Sequence, residues 1–205
     1  MNDYGLGVTL ILAYLIGATP TSYVAGRLGR RIDLRQHGSK NLGATNVYRV
    51  LGWRYAIPVA LIDAAKGAIP VVILGAWANG PAWFSVALGL AAVMGHIFSP
   101  YVGFKGGKGV ATAAGMFLAL APLAVVISLP IWMAALWLSG YVSVASLAVA
   151  VLFPAWVWLT TRDQPYAVWA AVALAVIIVY SHRHNIQRLR NGTENRFRTR
   201  KGVAA

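Results

Sequence analysis

Apolar runs and short polar breaks alternate along the chain. The runs fit helices that cross a bilayer, which need roughly 20 apolar residues each. The first covers about 5–26, and a polar segment follows at 27–54. A second run, about 55–78, is interrupted by Asp63 and Lys66 and ends at the turn "ANGPA" (78–82). A third, about 82–103, carries His96 and stops at "GFKGGKGVAT" (103–112). From 110 to 160 the chain is apolar but punctuated by Pro122, Pro130 and "SGYVS" (139–143). "TTRDQP" (160–165) precedes a last run, about 166–180, and a basic tail covers about 183–205. The start, "MNDYGLGVTL", lacks the basic n-region of a signal peptide, so the first run is expected to stay as a span. No repeat of fixed period is visible, and residues 1–205 read as a single integral-membrane domain.

Composition agrees. The chain is 59% hydrophobic and 11% charged, where soluble domains are about a quarter charged. The class is therefore an all-α polytopic membrane protein. It has no cysteine, which excludes disulfides, thiolate metal sites and thioester intermediates on the protein. The net charge of +13 would suggest nucleic acid in a soluble protein. Here the cations lie beside apolar runs, so they set orientation, and no nucleic-acid partner is expected. Of 18 Lys and Arg, seven lie in 27–54, two in 105–108 and seven in 183–201. Keeping these on one side requires even numbers of crossings between them. Four crossings fit 109–181 if the first is short and ends near Pro122, with breaks near 121, 140 and 162. The expectation is about seven transmembrane helices, N-terminus outside and C-terminus cytoplasmic.

Three polar segments are candidates for chemistry. "GFKGGKGVAT" is not a Walker A loop, since Lys108 stands where that motif needs glycine. Its glycines still let backbone N–H groups converge on an anion, and it opens a helix whose N-terminus favours anions. The alternative is a flexible basic turn. "HGSKNLGATNVYRVLG" (37–52) is dense in small polar groups, Ser39, Asn41, Thr45 and Asn46, and Arg49 can fork onto phosphate or carboxylate. A solvated spacer is the alternative. In "SHRHNIQRLRNGTE" (181–194), His182 and Asn185 share a face three residues apart, as ligand groups or as helix-end caps. Asp63 and Lys66 can neutralise each other, or Lys66 can snorkel to the surface. His96 reads as a hydrogen-bonded core residue or a functional one. Ser143 and Ser146 sit at a break, lining a site or capping a helix. The only carboxylates are Asp3, Asp33, Asp63, Asp163 and Glu194. No metal cage, no His-x4-Asp pair and no G-x-S-x-G elbow is present. An enzyme built from these groups would work by positioning and electrostatics.

Taken together, "GSKNLGATNVYRVLG" (38–52), "DAAKG" (63–67), "GHIFSPYVGFKGGKGVAT" (95–112), "YVSVAS" (141–146) and "HRHNIQRLRNGTE" (182–194) resemble the bacterial membrane acyl-phosphate:glycerol-3-phosphate acyltransferases of the PlsY type. The order is right and the coverage is nearly the whole chain. Two departures stand out: Lys40 replaces a glycine and His184 replaces a glutamate of the family pattern. The resemblance implies seven helices in the bacterial cytoplasmic membrane with a cytoplasmic active site. It implies transfer of a fatty acyl group from acyl phosphate to the 1-hydroxyl of glycerol 3-phosphate, without a cofactor. It further implies that Lys108, Arg49, Ser39, Ser146, His182 and Asn185 hold the two phosphates. The N–H groups of Gly106, Gly107 and Gly109 would help. Asn41, Thr45, Asn46 and Ser143 complete the expected substrate contacts. A soluble acyl-phosphate-making enzyme docking on the basic face stays open. A transporter of phosphorylated metabolites and a structural membrane subunit are the competing readings; the gathering of polar groups at one face speaks against the first, and the glycine motifs against the second.

Overall fold

The computed structural model describes residues 3–197; Arg198, Arg200 and Lys201 of the basic tail lie outside the described residues. In chain order the helices are α1 (Asp3–Ala18), α2 (Thr21–Arg30), α3 (Ala44–Leu51), α4 (Trp53–Ile69), α5 (Gly75–Ala78), α6 (Ala82–Ile97), α7 (Val110–Leu120), α8 (Pro122–Ser139), α9 (Val142–Thr160), α10 (Pro165–Ser181) and α11 (Arg183–Arg190). A π-helical turn, Pro70–Leu74, joins α4 to α5, and Pro70 accounts for it by removing a backbone donor. Among the described residues there is no strand.

Among the described residues, five helical stretches are long and apolar enough to cross a membrane: Gly5–Arg30, Trp53–Ala78, Ala82–Val102, Pro122–Ser139 and Val142–Thr160. The other two apolar helices are shorter. α7 has 11 residues, and α10 has 17 and bends by 52° into α11. The chain breaks between them at Ala121, Gly140 and Thr161, where helix geometry is lost. Among the described residues, the last of these apolar helices are separated at the expected breaks, and the one after the glycine loop is short. α3 is different in kind. It is an amphipathic helix that packs on α2 and α4 at the polar end of the bundle.

Close helix contacts are made by glycine. α1 meets α6 where a Cβ at Gly17 or Gly95 would overlap a carbonyl of the other helix, and α4 meets α7 the same way at Gly67 and Gly115. Small residues are how helices approach closely where lipid gives no hydrophobic drive.

A polar knot around an ion pair ties the α1–α2 break to α4 and to the segment just after α6. Pro20 interrupts the helix between α1 and α2 and leaves carbonyls without helical partners. Ser99 donates to the Ala18 carbonyl at 2.5 Å, and Lys66 Nζ donates to that of Thr19 at 2.8 Å. Lys66 also pairs with Asp63 at 2.8 Å, both side chains being at most 5% exposed. Thr21 donates to the same carboxylate oxygen at 2.5 Å. Lys66 therefore pairs inward and does not snorkel. Removing one partner of a buried pair typically costs about 3–5 kcal/mol. Asp63→Ala is expected to lose stability of that order in thermal unfolding of the detergent-solubilised protein. Asp63→Leu combined with Lys66→Met should recover part of it. An unchanged midpoint for Asp63→Ala would show that the knot contributes nothing.

Candidate active site

The glycine loop is shaped by the end of α6. Gly106 N–H donates to the Ile97 carbonyl at 3.0 Å and Gly107 N–H to that of His96 at 3.1 Å. These bonds satisfy carbonyls that the helix end leaves open. The loop lies so close that a Cβ at Gly107 would overlap the His96 ring. The His96 ring is otherwise held 3.7 Å from Asp63, beyond hydrogen-bond reach, and its Nδ1 has no partner. Of the two readings of His96, a hydrogen-bonded core residue finds no support at Nδ1. Gly109, at φ 81°, turns the chain into α7. The two lysines of the loop consequently part ways. Lys105 is exposed, whereas Lys108 enters a cavity and donates to Oδ1 of Asn185.

That cavity has a volume of about 420 Å³ and two unlike ends. Its polar end is lined by Ser39, Asn41, Thr45, Asn46, Arg49, Lys108, Gly109, Ser143, Ser146, His182 and Asn185. The first turn of α7 also faces it, through Val110 and Ala111. Its apolar end lies among α7, α8, α9 and α10 and is walled by Phe117, Leu129, Trp132, Phe153 and Leu174. Eleven of the thirteen residues singled out from the sequence therefore meet at one cavity. Gly106 and Gly107 do not line it, and their N–H groups are already bonded to the end of α6. Their role here is close packing. Asn46 also differs from expectation. Its Oδ1 accepts from Ser39 N–H at 2.8 Å, and its Nδ2 donates to the carbonyls of Leu34 and His37 at 3.2 and 3.1 Å. Its amide builds the 34–39 loop. Lys40 and His184, the two departures, are both exposed and outside the cavity.

Glu194 is the residue that sequence reading missed. The positive φ of Gly192 turns the chain back over the helix ends, and the carboxylate returns to the cavity wall. There it accepts from Asn185 at 2.6 Å, Ser143 at 2.9 Å and Arg188 at 2.7 Å. Around it Arg49 donates to the Asn195 carbonyl at 3.2 Å, Tyr48 stacks on Phe197, and Phe197 N–H donates to the Gly140 carbonyl at 2.8 Å. A carboxylate just after an N-G turn, in a chain with five acids, was the available signal. Trp132 was also missed; it donates to Ser146 at 3.3 Å, where the polar end meets the apolar one.

The charges are tuned by this arrangement. Burial pushes the Lys108 amine down to about 8, with Glu194 working against the shift and Arg188 and Arg49 adding to it. Burial also lowers the Arg49 guanidinium, opposed by Glu194, and its Nε has no partner. Burial raises the Glu194 carboxyl, but its bonds from Asn185, Arg188 and Ser143 outweigh that and hold it below the usual range. His182 Nδ1 lies 2.8 Å from the Ile178 carbonyl, which can only accept. That bond places a proton on Nδ1, so Nε2 is an acceptor when the ring is neutral and a donor when it is charged. The site thus offers a lysine, an arginine with an open N–H, a helix N-terminus and a histidine Nε2. The lysine, the arginine N–H and the helix N-terminus are groups able to hold an anion and to offset charge that builds on a leaving oxygen.

Comparison with known proteins places this architecture. The family model for glycerol-3-phosphate acyltransferase matches residues 7–192. The glycerol-3-phosphate acyltransferase of Chlorobaculum tepidum is 41% identical over 220 residues, covering 92% of this chain and 94% of the relative. That of Syntrophotalea carbinolica is 44% identical over 192 residues, covering 93% and 97%. Among solved structures, the glycerol 3-phosphate form of PlsY (YgiH), an integral membrane glycerol 3-phosphate acyltransferase, superposes with a TM-score of 0.86 at 36% identity, covering 95% of this chain and 96% of that one. Its lysophosphatidic acid form gives 0.84 at 34% identity, covering 93% and 94%.

Truncating Glu194 leaves the buried donors of Asn185 and Ser143 without their acceptor and frees Arg188, which is partly exposed. Each buried donor left unpaired costs about 1–3 kcal/mol. Glu194→Ala is expected to lower the unfolding midpoint in detergent, and Glu194→Gln, which keeps the acceptor oxygen and the shape, to lower it less. Equal midpoints for Glu194→Ala and the parent would mean that the returning segment is not held through this carboxylate.

Proposed function

The chain belongs to the glycerol-3-phosphate acyltransferase family, and from that membership we propose how its cavity carries out the reaction. The protein is a multi-pass membrane enzyme that transfers an acyl group to glycerol 3-phosphate. The transport and structural-subunit readings give way to this one. The acyl donor is acyl phosphate. The observation that carries this reading is the continuity of the cavity: a cationic end able to hold phosphate runs directly into an apolar slot able to hold a chain.

Lys108, Arg49 and the first turn of α7 hold phosphate oxygens, with Ser39, Asn41 and Thr45 beside them. His182 and Asn185 face them from the other wall. The acyl chain lies in the slot among α7, α8, α9 and α10. The 1-hydroxyl of glycerol 3-phosphate attacks the acyl carbonyl, an ester C–O bond forms, and the bond from that carbon to the phosphate oxygen breaks. Phosphate leaves with the electron pair, and the hydroxyl proton passes to a phosphate oxygen. Lysophosphatidic acid and inorganic phosphate result. The clustered cations offset repulsion between two anions and stabilise the leaving group. A protein nucleophile is not required, because the donor is already activated. The support from geometry is that Ser143 is hydrogen-bonded to a carboxylate of lowered basicity and Ser146 accepts from Trp132, while neither bonds to His182.

Donor and residue can be tested together. Purified protein is given glycerol 3-phosphate with synthetic acyl phosphate, or with acyl-CoA or acyl carrier protein donors in parallel. Product is expected only from acyl phosphate; equal rates from acyl-CoA would sink the donor assignment. In the same assay Lys108→Ala should lose on the order of 10²–10³ in rate, and Lys105→Ala much less. Lysine is charged below its pKa. The parent kcat/KM is therefore expected to be level below about pH 8 and to fall as the pH rises through it. Lys108→Arg, if active, should lack that alkaline limb.

The bundle crosses the bacterial inner membrane seven times with the cavity mouth on the cytoplasmic side. The clustering of basic residues beside that mouth supports this reading. Single cysteines in place of Gln36 and Lys105, both exposed, are expected to react with an impermeant thiol reagent only from inside, and one at Ala82 only from outside. Reaction at Lys105 from outside would reverse the topology.

A further inference from the structure

The lining of the apolar slot ends, along α7 and α9, at a pair of aromatic rings. The lining residue farthest from the polar end is Phe117 on α7 and Phe153 on α9. Their rings meet edge to face, with centroids 4.7 Å apart and planes at 71°. Val125 of α8 and Ala171 of α10 are likewise the last lining residues on their helices. Past these the bundle is filled: Ala121, Ala124 and Val157 are at most 1% exposed, and none of them lines the cavity.

The two rings differ in freedom. Phe117 cannot retreat, because α7 is seated against α4. A Cβ at Gly67 or Gly115 would overlap the carbonyl of Thr112 or Ala64, so the two backbones are already in contact. Phe117 is itself 1% exposed. Phe153 is only partly buried and forms the adjustable side of the pair. From Ser146, where the polar end begins on α9, to Phe153 is seven residues, or about 10 Å of helix.

We propose that the Phe117–Phe153 pair sets the length of acyl chain the enzyme accepts, with Phe153 as the specificity-determining side chain. This rests on the reading that the acyl chain fills the slot. A chain that reaches these rings before its carbonyl meets the bound glycerol 3-phosphate must bend or displace a packed ring. Forcing extra methylenes into close-packed space is unfavourable. A discrimination of one or a few methylenes in such a pocket is on the order of tenfold or more.

The test is kcat/KM for synthetic saturated acyl phosphates from lauroyl to stearoyl, in the parent and in Phe153→Ala, Phe153→Leu and Phe153→Trp. The ratio of stearoyl to lauroyl is expected to rise on the order of tenfold in the Ala and Leu variants and to fall in the Trp variant. A ratio taken within one preparation does not depend on how much of it is folded. Should Phe153→Ala not fold, the Leu and Trp variants carry the test in opposite directions. If the parent transferred no acyl group from any of these donors, the reading of the preceding section would fail. If all forms transferred with superimposable chain-length profiles, that reading would stand and this inference alone would be overturned. The chain end would then leave sideways into lipid and the rings would be packing only.

Discussion

A cation taken out of water between membrane helices must be compensated by fixed partners, and Lys108 shows how many elements this involves. Its amine donates to Asn185, whose own amide donates to Glu194, which also collects Ser143 and Arg188. The chain of bonds therefore runs from the loop before α7, through α11 and the returning segment, to the start of α9. None of these bonds is worth much alone, but each member left unpaired would be costly in so low a dielectric. The relative placement of four polar segments follows from this requirement. Lys66 repeats the principle deeper in the bundle, where Asp63 and an opened helix carbonyl do what Asn185 and Glu194 do at the mouth.

Much of this was readable in the sequence, for identifiable reasons. The helices are legible because span length is imposed by the bilayer. The breaks are legible because Pro122, Gly140 and the 160–165 turn cannot continue a helix. The shared position of Arg49, Lys108, Ser143 and His182 could be anticipated because charge parity puts their segments on one side. What could not be read is which polar atoms are already spoken for. Asn46 and Asn41 look alike in sequence, yet Asn46 is consumed by its own loop. Glu194 looks like one more residue of a solvated tail, and only the turn at Gly192 carries it back to the cavity. Hydrogen-bond partners far apart along the chain leave no local pattern.

The glycine loop carries the same lesson in a sharper form. Five residues, K-G-G-K-G, suggest one shared job of cradling an anion. The structure divides the labour. Gly106 and Gly107 allow the loop to lie on the end of α6 and spend their N–H groups there, Gly109 makes the turn into α7, and Lys108 alone reaches inward. Two backbone bonds thus tie the loop to the end of α6 without any ligand, which reduces the ordering entropy left to lose on binding.

The joined polar and apolar ends of the cavity have a consequence for how turnover is counted. If the chain lies among the helices with the headgroup at the mouth, as proposed, the lipid product has no aqueous stage. On that reading it leaves by sideways partition, and the donor arrives the same way. The concentration that governs the rate is then a mole fraction within the bilayer or micelle, not an amount per volume of buffer. Diluting the surface with inert lipid slows such an enzyme while the bulk composition stays fixed.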